Sequence, residues 1–65
     1  MNTVREFMQK VFLNEYHNIR VKSTETDTII CEFDSFEDME KSGVADKKIE
    51  EFATDWEKRI YILWV

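Results

Sequence analysis

Near its start the chain places Val4, Phe7, Met8, Val11 and Phe12 at i, i+3, i+4, i+7 and i+8, with Arg5, Glu6, Gln9 and Lys10 between them. One apolar stripe at a 3.6-residue period predicts an amphipathic helix. Thr3 followed three residues on by Glu6 forms a capping box, T-V-R-E, and Asn14 is a suitable stop. So short a helix is marginal alone, and its stripe must pack on something.

Further on the period drops to two. Ile19 and Val21 alternate with Arg20 and Lys22, and Ile29, Cys31 and Phe33 alternate with Thr28, Ile30 and Glu32. The polar stretch S-T-E-T-D (residues 23–27) joins the two runs, which predicts a hairpin. Asp34 or Ser35 then caps a short helical turn in which Phe36 and Met39 are three apart, and Gly43 stands where a left-handed C-terminal residue belongs. The last run, residues 59–65, reads R-I-Y-I-L-W-V. Apolar on both faces, it reads as a central strand, or as one covered on its second face by a partner.

Residues 45–56 allow two readings. Ala45, Ile49, Phe52, Ala53 and Trp56 fit a helical face, but Lys47 and Lys48 would then crowd the positive end of the helix dipole. The competing reading is a strand over 48–54 and a turn over 55–58. The expected fold is therefore α+β: an N-terminal helix packed on a small antiparallel sheet of three or four strands, with a short acidic helix between the hairpins. In the runner-up a helix replaces the third strand.

A chain of 65 residues is one domain, 1–65. It buries only about 60% of its unfolded surface, which leaves little room for a deep catalytic cleft. One cysteine, Cys31, permits no internal disulfide and suits a reducing, cytoplasmic setting. Arg5, Glu6 and Lys10 interrupt the N-terminal apolar pattern, so no signal peptide is read there. The uninterrupted apolar run 60–65 is far too short to span a bilayer.

Charge changes the picture most. Residues 1–31 and 41–65 are each net neutral, so the whole formal charge of −5 sits in 32–40: Glu32, Asp34, Glu37, Asp38 and Glu40, with no base among them. The functional reading is a surface that imitates nucleic-acid phosphates and binds a basic groove on a partner protein, with no direct contact to nucleic acid. The plain reading is a solvated helix turn whose acids favour its N-terminus. No metal or other cofactor is expected: a D-x-D-x-D-G loop is missing, and His17 and Cys31 lack spaced ligand partners. A Cys31–His17 pair is a weak nucleophile candidate, because a thiol facing the core is inert. No catalytic residue is assigned and no enzyme is expected. Trp56, Tyr61 and Trp64 form a second candidate contact surface, against the plain reading of core packing. One short helix covers one face of a sheet, so a homodimer through the last strand is a further expectation.

T-V-R-E-F-M (residues 3–8), followed by a short strand, I-I-C-E-F, the acidic stretch and I-E-E-F…R-I-Y-I, resembles small accessory proteins of phages and integrative mobile elements. The resemblance implies one helix on a small antiparallel sheet and no catalytic residues. Some proteins of this size and acidity block host defences such as CRISPR. By that resemblance the expected partner is a host protein with a basic surface, such as a CRISPR nuclease. The expected function is non-enzymatic inhibition, and the alternative is a self-associating structural or regulatory protein.

Overall fold

The computed structural model describes residues 2–11 and 18–65, with no account of the Val11 side chain. The expectations for the Val11 side chain, Phe12, Asn14 and His17 therefore lie outside the described residues. The elements are α1 (Val4–Val11), β1 (Asn18–Lys22), β2 (Ile29–Phe33), α2 (Phe36–Ser42), β3 (Glu51–Asp55) and β4 (Ile60–Trp64). The architecture is α+β, with α1 ahead of the sheet and α2 between the hairpins.

The four strands run in the order β2-β1-β4-β3. Both hairpins, β1–β2 and β3–β4, are antiparallel, but the seam joining them is parallel, pairing Ile19 with Tyr61 and Val21 with Leu63. The expectation of a wholly antiparallel sheet is corrected at this seam. The long connection through α2 carries the chain across the sheet, and the second hairpin brings β4 back beside β1 in the same direction. β4 is central, as its two apolar faces suggested.

The capping box forms as read. The Thr3 amide donates to Glu6 Oε1 at 2.8 Å, and the Glu6 amide donates to Thr3 Oγ1 at 3.2 Å. Two more N–H groups of the first turn are satisfied from the loop ahead of β3: Val4 donates to the Lys47 carbonyl and Arg5 to the Ala45 carbonyl. Thr3 and Lys48 make an isolated bridge, and Val44, Ala45 and Ile49 from the same loop are buried. This docking settles the ambiguity over 45–56. Residues 44–50 plug the core below α1 as a loop, and the strand starts only at Glu51; no helix forms there.

The core lies on one face of the sheet. Val4 and Met8 of α1, Met39 of α2, Ile19 and Val21 of β1 and Leu63 of β4 are fully buried together. Cys31 packs against this cluster, while Ile29, expected on the same face, is 54% exposed. A register shift between Val21 and Lys22 breaks the alternation at that end of the hairpin. Ser35 caps α2 by accepting from the Asp38 amide, and Gly43 takes the left-handed conformation, φ 82°. Among the described residues no helix is long and apolar enough to cross a membrane.

Candidate functional site

The acidic block spans the junction of β2 and α2, and its five carboxylates do not share one environment. Glu32 lies opposite Arg20 in the hairpin register and accepts from Arg20 Nε at 2.6 Å. Glu37 meets Lys41 one turn along α2, at 3.0 Å. Glu40 receives a two-pronged contact from Arg5, with Nε at 3.1 Å and Nη2 at 2.6 Å. Arg5 also binds Asp46, so one guanidinium clamps α1 to α2 and to the loop beyond it. The Arg5 hydrogen bond holds the Glu40 carboxyl below its usual range, and the two carboxylates raise the already high pKa of Arg5.

Asp34 and Asp38 remain without an ion pair among the described residues. They line an open groove of about 250 Å³ together with Asn18, Glu32 and Phe33. The local sequence builds it. Phe33 turns its ring into the core, which leaves Asp34 at the strand end, and the Ser35 cap starts α2 so that Asp38 sits in its first turn. The groove is thus lined by three carboxylates, Glu32, Asp34 and Asp38, together with Asn18 and Phe33. Asn18 and Phe33 are the members that sequence reasoning missed. Nothing local marks them; only the β1–β2 pairing brings Asn18 beside the block.

The second candidate surface is not one surface. Trp56 is at the β3–β4 turn, 72% exposed. Tyr61 is on the covered face, its ring edge-on to Phe7 with centroids 5.4 Å apart. Trp64 is on the opposite face, where its indole N–H donates to Asp27 at 2.8 Å and Lys22 Nζ lies 5.5 Å from its ring centroid. Closeness in sequence is undone by the twofold alternation of β4 and by the turn.

Among the described residues no three His, Cys, Asp or Glu side chains are grouped to hold a metal ion. Burial pushes the Cys31 thiol up, only partly offset by its hydrogen bond to Ser42, so the sulfur stays protonated and a poor nucleophile near neutral pH. No protein-family model, no curated protein and no solved structure matches this chain.

Proposed function

We propose that this chain is a non-enzymatic binding module that occupies a basic, nucleic-acid-binding surface of a partner protein with its β2–α2 groove. The observation that carries the reading is the pairing pattern. Three acids of the block are held by internal cations, whereas Asp34 and Asp38 point their charge at solvent beside a concave surface. Charge left unneutralised at a groove steers a cationic partner and supplies acceptors for arginine forks. The specific case favoured by the resemblance to phage and mobile-element accessory proteins is inhibition of a host defence nuclease of the CRISPR type.

An arginine-rich peptide is a suitable first probe. Titrated into the isotopically labelled chain, it is expected to move the amide signals of Asn18, Glu32, Asp34 and Asp38 first. Shifts confined to β3 and the Trp56 turn would reject the groove. A CRISPR nuclease assay then tests the narrower reading: added chain is expected to reduce DNA cleavage and to displace labelled oligonucleotide from the enzyme. Undiminished cleavage at saturating chain rejects that enzyme as the target.

A further inference from the structure

We propose that the sheet face turned away from the helices is a homodimer interface with its twofold axis along β4. α1, α2 and the 44–50 loop all contribute to the core on the other face; on this one Ile60 is buried, and Ile62 and Trp64 are partly exposed. The strand registers lay out its side chains in rows. Lys22, Trp64 and Glu51 form one row, Arg20, Ile62 and Ala53 the next, and Asn18, Ile60 and Asp55 the last. Read across β1, β4 and β3, the face carries a basic strand, an apolar stripe and an acidic strand; β2, at the edge, adds Glu32, which already holds Arg20.

That order is self-complementary. A half-turn about an axis along β4 lays the partly exposed Ile62 and Trp64 on the same residues of the second copy. It also places β1 over the second copy's β3 while preserving the rows. Lys22 then faces Glu51 of the other copy, and Glu51 faces the other Lys22, so each contact occurs twice, as an isologous interface requires. Lys22 keeps Asp27 at 3.2 Å within its own chain, and its ammonium has donors to spare. Two such faces stack as aligned sheets about 10 Å apart. The second copy supplies this match by itself, because opposite charges flank the stripe on its two sides. Asn18, at the end of the last row, also lines the acidic groove, whose Asp34 and Asp38 lie beyond β1 at the β2–α2 junction.

Sedimentation equilibrium from micromolar to millimolar concentration tests this. The native chain is expected to reach twice the 7.9 kDa of one chain. Ile62→Lys puts like charges together on the axis and is expected to weaken association about a hundredfold, with circular dichroism confirming the fold. Should that variant unfold, the exposed Glu51 decides. Glu51→Lys alone is expected to weaken the dimer about tenfold, and Lys22→Glu added to it is expected to restore most of the loss. A single-chain mass at every concentration overturns the proposal and leaves the face to another partner. A dimer indifferent to Ile62→Lys, or a charge swap without rescue, also overturns it and moves the contact elsewhere, such as to a sheet edge.

Discussion

Gly43 closes α2 at φ 82°, and a Cβ built there meets nothing within 4 Å. The cost of a side chain is therefore conformational and not steric. Gly43→Ala is expected to lower stability by about 1 kcal/mol, and Gly43→Asn by less, in urea denaturation. Three carboxyls among the described residues are held below their usual range. The Thr3 backbone and hydroxyl hold Glu6 below its usual range, Trp64 and Lys22 hold Asp27, and Arg5 holds Glu40. Each binds its proton more weakly folded than unfolded. Their contribution is therefore present above the ordinary carboxylate range and is lost as pH falls through the lowered folded values. Unfolding free energy is expected to be flat near neutrality and to fall below about pH 4, with a shallower fall in Glu6→Gln. An acid limb unchanged by that substitution would mean the capping box does not titrate with folding. Thr3, Glu6, Ser35 and Gly43 were legible in the sequence because caps are local chemistry. Arg5 was read only as part of the wet face of α1, since its partners Glu40 and Asp46 are far along the chain.

α1 is the element on which the core depends. Met8 is fully buried in the core cluster, and Met8→Asp places an unpaired charge there. That costs several kcal/mol, against a total stability of about 3–10 kcal/mol for a chain of this length. The variant is expected to show no cooperative thermal transition; an unaltered melting curve would place α1 outside the core. The helix stripe and the strand alternations were legible because they repeat over several residues. The segment before β3 was not. Ala45 and Ile49 fall at helical spacing because both plug the core from a loop, and the backbone partners that hold this loop, Asn2 and Val4, lie at the other end of the chain. The parallel β1–β4 seam was hidden for the same reason: pairing direction belongs to the path of the whole chain, whereas centrality could be read from the two apolar faces of β4 alone.

At the scale of the whole molecule, internal pairing sorts the acidic block. Position in the sequence made Glu32, Asp34, Glu37, Asp38 and Glu40 equivalent; the fold gives Arg20, Lys41 and Arg5 to three of them. Replacing Asp34, Glu37, Asp38 and Glu40 together would therefore mix two effects, lost binding charge and a broken α1–α2 clamp. The pair Asp34→Asn, Asp38→Asn removes only the unneutralised charge at the groove and nearly preserves shape. The direct test is the association rate of this double variant and of the native chain with a CRISPR nuclease, at low and high salt. The groove reading predicts an intact fold, association slowed about tenfold or more at low salt, and a flatter salt dependence, with Lys47→Gln and Lys48→Gln close to native. An unaltered rate and salt slope in the double variant would contradict it and leave the acidic block as a solvated face.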